Sequence, residues 1–166
     1  VVDLSFAGGL AREDHIFKAL ALGAPFVKSV CMGRSLMIPG FLGANIEGVF
    51  KPEKRGELSS HWEKLPNAVT SVGTYPEEIF AGYHDLLLKV GEDEMKDIPF
   101  GAIAAWTLAD KLAAGLQQFM AGARKFNLAE ISRDEVFSAN RETEKETGVP
   151  FLTEMMDEKA KDILTH

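Results

Sequence analysis

The sequence predicts an α/β fold in which one β–α–β unit is followed by a mostly helical region. Two short apolar runs, "VVDLSF" and "FVKSVCM", have the length and composition of buried strands. Between them, residues 13–22 repeat apolar side chains at helical spacing, and Gly23 and Pro25 end that helix. Two strands joined by one helix form a parallel pair, which normally has further strands beside it and both faces covered. The residues expected on the buried side of the helix are Ile16, Phe17, Ala19, Leu20 and Ala21.

The composition limits the classes of function. The chain has 166 residues, 46% of them hydrophobic, which is enough for one core of ordinary size. Its formal net charge of −7 argues against nucleic acid as a partner. The most apolar stretch, residues 101–123, carries Asp110 and Lys111 at its centre, which argues against membrane insertion. The single cysteine, Cys31, favours a reducing, cytoplasmic compartment, and on an apolar strand we expect it to be buried.

The middle of the chain predicts an irregular passage and then helices. Residues 39–73 are rich in glycine and proline, so we expect surface loop with about one helical turn. Thr74 and Glu77 have the spacing of a capping box, for a helix that runs to about Val90. The longest helix is expected over about 101–124, where many small residues permit a neighbouring backbone to approach closely.

The end of the chain carries a second helix-start signal. Ser132 and Glu135 form another capping box, for a helix that Gly148 and Pro150 end. Residues 151–164 predict a final short amphipathic helix.

Glycines follow both predicted strands. Gly8 and Gly9 lie between a strand and a helix, where free amides and the positive helix end favour an anion, although such a pair is also typical of a tight turn. Gly33 and Arg34 follow the second strand and add amides beside a guanidinium that can pair with phosphate oxygens; Arg34 also fits an ordinary surface arginine. The turns after the last two strands of a (β/α)8 barrel, the TIM barrel, form its usual phosphate site. The sequence therefore predicts the carboxyl-terminal β–α–β portion of a TIM barrel, its last two strands.

Two longer segments resemble a known family. The segment "FAGGLAREDHIFKALALGAPFVKSVCMGRSLMIPG" is similar to the end of the FMN-binding barrel in glutamate synthase family proteins. The segment "IPFGAIAAWTLADKLAAGLQQFMAGARKF", followed by "ISRDEVF", resembles the last barrel helix and tail of that family. The resemblance implies FMN as the cofactor. The residues that it implies for the phosphate, mainly through backbone N–H groups, are Gly8, Gly9, Gly33 and Arg34. It places Ser5 and Ala7 at a strand end near the cofactor.

The resemblance also implies a reaction and its partners. The parent reaction would be reductive amination of 2-oxoglutarate to glutamate through reduced FMN, with a 2-oxo acid or amino acid as substrate. The family's groups for the flavin ring and the 2-oxo acid come from earlier strands, so no catalytic residue is assigned here. Full-length members carry three cysteines after the final strand for an iron–sulfur cluster, whereas "MIPGFLGANIEGVFKPEKRG" contains none. The electron donor is therefore unassigned, and self-association into a homo-oligomer stays open.

The chain opens in an apolar run without an initiating methionine, so we expect a fragment that lacks the N-terminal barrel strands. Residues 1–43 would be the last β–α–β unit with the phosphate site, 44–73 a loop, and 74–166 a helical region that includes the last barrel helix. Because two strands cannot close a barrel, this fragment alone is expected to be inactive.

Two alternatives remain open on the sequence. The first is another TIM-barrel enzyme that uses the same phosphate site for a sugar or nucleotide phosphate. The second is a non-catalytic helical assembly module. His15 is expected on a helix surface or near the cofactor, and His61 and His84 have no partner at metal-ligand spacing, so no metal site is predicted.

Overall fold

A computed structural model describes residues 2–56 and 61–165. The fold is mixed α/β and mostly helical, with a small two-stranded parallel sheet. The chain divides into two compact units. The sheet unit comprises Val1–Ala7, Asp14–Cys31 and Leu116–His166, and the helical unit comprises Gly8–Glu13 and Met32–Gly115.

The elements follow one another in chain order. The strands are β1 (Leu4–Ala7) and β2 (Val27–Cys31). The helices are α1 (Glu13–Gly23), α2 (Arg34–Phe50), α3 (Asn67–Thr70), α4 (Pro76–Ile79), α5 (Tyr83–Val90), α6 (Glu92–Met95), α7 (Phe100–Gly122), α8 (Arg141–Thr147) and α9 (Leu152–Thr165). Short 3-10 turns cover Pro52–Lys54, Leu128–Glu130 and Arg133–Glu135. Within the described ranges, no helix is both long and apolar enough to cross a membrane.

The sheet unit confirms the predicted β–α–β organisation. β1 and β2 are parallel, with Ser5 opposite Ser29 and Ala7 opposite Cys31. The five apolar residues predicted for the inner side of α1 are all buried. Phe17 of α1 stacks on Phe119 of α7 with 5.7 Å between the ring centroids. All residues of β1 are nevertheless exposed, so the described residues of the sheet unit do not cover this strand.

Helix α2 departs most from the prediction. The loop expected from residue 39 onward is wrong up to Phe50, because α2 continues through Pro39. The glycines that suggested a loop lie instead at a close helix contact: a Cβ on Gly43 would fall 2.3 Å from the carbonyl oxygen of Phe100. A Cβ on Gly101 would fall 2.8 Å from the carbonyl oxygen of Gly40. The small residues at the start of α7 therefore permit close backbone packing, as predicted.

A buried carboxylate joins these two helices. Glu47 of α2 is 1% exposed, and its Oε2 accepts a hydrogen bond from the backbone N–H of Phe100, 3.2 Å away. Its Oε1 pairs with Lys51 Nζ at 3.1 Å, and the same ammonium lies 5.0 Å from the centre of the Phe100 ring. A negative charge at the first turn of α7 is favourable because helix amides there lack intrahelical acceptors.

The core of the helical unit surrounds this contact. Phe100 packs against Phe80 in an edge-to-face arrangement at 5.7 Å and against Phe50 at 6.0 Å. The buried members of this cluster are Ile46, Phe80, Leu86, Met95, Phe100, Ile103 and Ala104. Together, these apolar side chains form the buried core of the helical unit, to which Phe100 belongs.

The helix predicted from residue 74 to Val90 is broken into α4 and α5. The predicted capping box of Thr74 and Glu77 is wrong by one position, because the carboxylate of Glu78 accepts the N–H groups of Thr74 and Tyr75, at 2.7 and 3.2 Å. The break covers residues 80–82, and at the last of them, Gly82, a Cβ would fall 2.7 Å from the Trp106 ring. Close packing against this ring favours a glycine between the two helices.

The second capping box is confirmed, but the helix it opens is not the predicted one. Ser132 and Glu135 cap only a 3-10 turn, and Asn140 caps the following helix, α8. Gly148 ends α8 in the left-handed conformation, at φ 65°, as expected of a glycine at this position. The long helix predicted over about 101–124 and the final helix are confirmed as α7 and α9.

Replacing Glu47 by alanine is expected to lower the free energy of unfolding by about 2–4 kcal/mol, because it leaves a buried N–H and the Lys51 ammonium without their partner. Glu47→Gln keeps an acceptor for Phe100 and should cost less. Urea unfolding measures the free energy of unfolding of both variants. Glu63→Ala, at an exposed position, is the control. Equal stability of Glu47→Ala and Glu63→Ala would contradict this role.

Replacing Gly43 by alanine is expected to cost about 1–3 kcal/mol or more, because its Cβ would overlap the backbone of Phe100. The matched control is Gly122→Ala in α7, where no atom lies within 4 Å of the added Cβ. There the better helix propensity of alanine should leave stability unchanged or raised by up to about 1 kcal/mol. Thermal unfolding measures the midpoints of both variants. Equal midpoints for Gly43→Ala and Gly122→Ala would contradict the close contact between Gly43 and Phe100.

The capping box at Ser132 is expected to weaken in acid. Burial raises the pKa of Glu135, but hydrogen bonds from the Ser132 amide and hydroxyl and a contact with Lys125 outweigh it and hold the pKa below its ordinary value of 4.5. The corresponding stability is present above pH 4.5 and is lost as pH falls through the lowered folded-state pKa. Between pH 7 and 3, urea unfolding should show a smaller loss of the free energy of unfolding in Glu135→Gln than in the unmutated chain. Identical pH profiles would show that Glu135 does not contribute.

Candidate functional site

The first turn of α2 offers unpaired backbone donors. The carbonyl of Gly33 accepts the amides of Leu36 and Met37, at 3.0 and 3.2 Å. The amides of Gly33, Arg34 and Ser35 have no acceptor among the described residues, and this turn carries no acidic side chain. Three free N–H groups at the positive end of a helix of 17 residues suit an anion.

The turn after β1 is formed by two glycines in left-handed backbone conformations. Gly8 has a φ of 118° and Gly9 a φ of 66°, which residues with a side chain rarely adopt. No atom lies within 4 Å of a Cβ built on either residue. From the sequence, this glycine pair could be a tight turn or an anion site. The structure has a tight turn here, with open space beside it.

Gly33 is a different case. Its φ of −100° is open to any residue, and no atom lies within 4 Å of an added Cβ. Neither the φ angle nor packing against the described residues therefore requires a glycine at this position. A glycine here leaves the start of α2 accessible to a bulky group outside the chain.

A hydroxyl group joins the two turns. Ser35 Oγ donates a hydrogen bond to the carbonyl oxygen of Leu10 at 2.9 Å. Leu10 follows Gly9 directly and Ser35 follows Arg34, so this bond brings the Gly8–Gly9 turn and the start of α2 together within the helical unit. Sequence reasoning missed Ser35, because a serine in the first turn of a helix is common and nothing local pointed to Leu10.

Arg34 supplies the positive charge at the start of α2. Its side chain is exposed, and it makes no hydrogen bond or ion pair with any residue that the structure describes. A guanidinium without an internal partner at a helix start is available to a phosphate, which it can bind through two parallel hydrogen bonds. Gly8, Gly9, Gly33 and Arg34 thus lie in one unit.

The other two predicted site residues, Ser5 and Ala7, lie in the sheet unit. Ser29 Oγ donates to Ser5 Oγ at 2.9 Å, and Cys31 Sγ lies 3.2 Å from the same oxygen. Since side chains alternate along a strand, Ala7 shares this face of small residues with Ser5. The expectation that Cys31 is buried is wrong: its side chain is exposed, because nothing among the described residues covers this face.

The structure describes His15, His61 and His84. The backbone N–H of His61 donates to Asn45 Oδ1 at 2.7 Å, and the ring of His84 lies 5.8 Å from that of Tyr83. His15 is half-buried on α1. Over residues 2–56 and 61–165, no three His, Cys, Asp or Glu side chains are grouped so that they could hold a metal ion.

A second concave surface lies in the sheet unit. It is a cavity of about 560 Å³, lined by apolar side chains that include Phe17, Phe119 and Phe137. Its one acidic group, Glu135, already accepts hydrogen bonds from Ser132 and pairs with Lys125. The lining also includes Lys18, which pairs with Asp14, and Ser138 and Thr147, whose hydroxyls donate to backbone carbonyls. Because most of its polar groups already have partners, the glycine turns of the helical unit are the stronger candidate.

Comparison of the chain with family models, curated proteins and solved structures gave no match. The resemblance to the glutamate synthase family therefore stays a prediction carried by the residues quoted above.

Proposed function

We propose that this chain supplies the phosphate-binding end of an FMN-dependent oxidoreductase of the glutamate synthase-like class. The supporting observation is the pair of turns joined by Ser35, with three free helix amides and the unpaired Arg34 beside them. An FMN phosphate is a dianion with several acceptor oxygens, and it needs donors of this kind. Gly8, Gly9, Gly33 and Arg34 would hold it.

The exposed sheet supports the barrel part of the proposal. A parallel pair is normally buried on both faces, yet Leu4 is 50% and Phe6 48% exposed in β1. Apolar side chains at this exposure favour additional strands and helices around the pair. We therefore propose that β1 and β2 are the last two strands of a TIM barrel, completed by strands outside the described residues.

Bound FMN would supply the two-electron redox chemistry, and the chain's own residues would hold and orient it. Ser5 and Ala7 lie on the small-residue face of the sheet and would adjoin the cofactor. In the complete enzyme, 2-oxoglutarate and glutamate would be the substrate and product, in a cytoplasmic setting. The 166 residues alone would bind the phosphate end without catalysis, since the family's groups for the flavin ring and the 2-oxo acid come from earlier strands.

Replacing Arg34 by alanine is expected to weaken the binding of FMN and of inorganic phosphate by about 10- to 100-fold, because a charge-assisted hydrogen bond is lost. The affinity of Arg34→Lys for each ligand should lie between that of Arg34→Ala and that of the unmutated chain. Binding is measured by the shifts of the Gly8, Gly9 and Gly33 backbone amide signals in NMR titrations of the 166-residue chain. Lys64→Ala removes an equal charge from an exposed position of the same unit and serves as the matched control.

Several outcomes separate the candidates. FMN, but not riboflavin, should move the three glycine signals, and FMN should also move those of Ser5 and Ala7. Ribose 5-phosphate that binds much more tightly than FMN would favour the sugar-phosphate barrel instead. Glycine signals unmoved by FMN and by phosphate would show the proposal to be wrong.

An assembly module is the second candidate, and it rests on α9. Apolar side chains along this helix are exposed, with Met156 at 57%, Ile163 at 76% and Leu164 at 84%. Exposed apolar residues on one helix are typical of protein–protein contacts. A defined oligomer that binds neither FMN nor phosphate would favour this candidate over the first.

A further inference from the structure

Helix α9 is joined to the sheet unit at its start. The backbone N–H of Leu152 donates to the carbonyl oxygen of Ser138 at 3.1 Å, and Met155 is half-buried. From Met156 to the end of the helix, every residue whose side chain is described is exposed. The second half of α9 is therefore not covered by any part of the chain that the structure describes.

A helix of this kind depends on packing against a partner. α9 has 14 residues, and isolated helices shorter than about 12–15 residues are only marginally stable in water. Its exposed side is apolar, because Met156, Ala160 and Ile163 recur at spacings of four and three residues and share one face of the helix. Leu164 lies at the edge of this apolar stripe. An exposed apolar stripe on a helix that needs packing indicates a partner that covers it.

The charges of α9 are divided along its length, and this division indicates the partner. Residues 152–158 carry three acidic groups and no basic one, whereas residues 159–165 carry two lysines and one aspartate. Two copies of the helix that run antiparallel place the acidic half of each opposite the lysine half of the other. Asp157 and Lys161 lie on the same flank of the apolar stripe, so Asp157 of one copy would face Lys161 of the other, at two equivalent places.

The same partner would cover apolar surface beside α9. Met155 lines a cavity of about 610 Å³ together with Phe119 and Phe137, whose side chains are nearly half exposed. In an antiparallel pair the end of one helix lies beside the start of the other, so Ile163 of the second copy would lie next to this cavity. The cavity and the helix end are thus complementary parts of one surface, as a two-fold contact requires.

A membrane surface fits α9 less well. Helices that lie on anionic lipid are rich in Lys and Arg on their polar face. α9 carries four acidic residues and two lysines, so its net charge is negative. The charge of the helix therefore favours a protein partner.

We propose that α9 pairs with α9 of a second copy of this chain, antiparallel and related by two-fold symmetry, so that the chain forms a dimer. This inference names the partner for the assembly candidate described above. It is independent of the phosphate site, since none of the residues proposed for that site lies in α9.

The dimer is measured by sedimentation velocity of the 166-residue chain over a range of concentrations. Leu164→Glu should raise the dissociation constant of the dimer about tenfold or more, because it brings a charge into an apolar contact. Leu88→Glu is the matched control and should leave the dimer unchanged, since Leu88 of α5 is 85% exposed and Leu164 is 84% exposed.

Charge reversal tests the orientation of the two helices. Asp157→Lys and Lys161→Asp should each weaken the dimer, because like charges would then face each other at both places. An equimolar mixture of these two variants should dimerise about as tightly as the unmutated chain, because opposite charges face each other again.

Three outcomes would overturn this inference: an unmutated chain that stays a monomer at every concentration measured, a dimer that Leu164→Glu does not weaken, and a mixture of the charge-reversal variants that stays monomeric. A monomer that binds vesicles of phosphatidylserine and phosphatidylcholine through α9 would assign the helix to lipid instead. None of these outcomes changes the phosphate site, which the FMN titration tests separately.

Discussion

The helical unit depends on the carboxylate of Glu47. A buried carboxylate is stable only where partners replace its lost hydration, and here the Phe100 amide and the Lys51 ammonium do so. Because Glu47 belongs to α2 and Phe100 begins α7, a single side chain caps one helix and fixes where the other crosses it. The glycine at residue 43 makes this possible, since any side chain there would meet the backbone of Phe100.

This crossing also explains how the first turn of α2 can stay accessible. The second half of the helix, around Ile46, is buried, whereas Met37, Ile38 and Phe41 in the first half are more than half exposed. One end of α2 is thus held by the core of the helical unit while the other end, at Arg34, is accessible. Binding groups on a rigid element keep their geometry better than groups on a free loop, so the amides at this end are well suited to a fixed anion site.

The sequence predicted the elements whose signals are local. The spacing of apolar residues in α1, the capping box at Ser132 and the glycine that ends α8 depend on neighbours within a few positions, and all are confirmed. Helix α2 was missed because Pro39, Gly40 and Gly43 look like loop residues, although Gly43 is explained by a partner helix about sixty residues away. The split between α4 and α5 was missed for a similar reason, because Gly82 meets the ring of Trp106. Tertiary packing outweighed local propensity in both cases.

The same distinction applies to the candidate site. Its glycines could be found because a glycine pair between a strand and a helix is a local pattern. The hydrogen bond from Ser35 to Leu10 spans 25 positions and cannot be read from the spacing of residues.

The backbone amides determine how the proposed site would work. If backbone amides supply most of the contact, substitution of side chains around the site changes affinity mainly by moving the turns. A phosphate held in this way would fix one end of a cofactor independently of its ring.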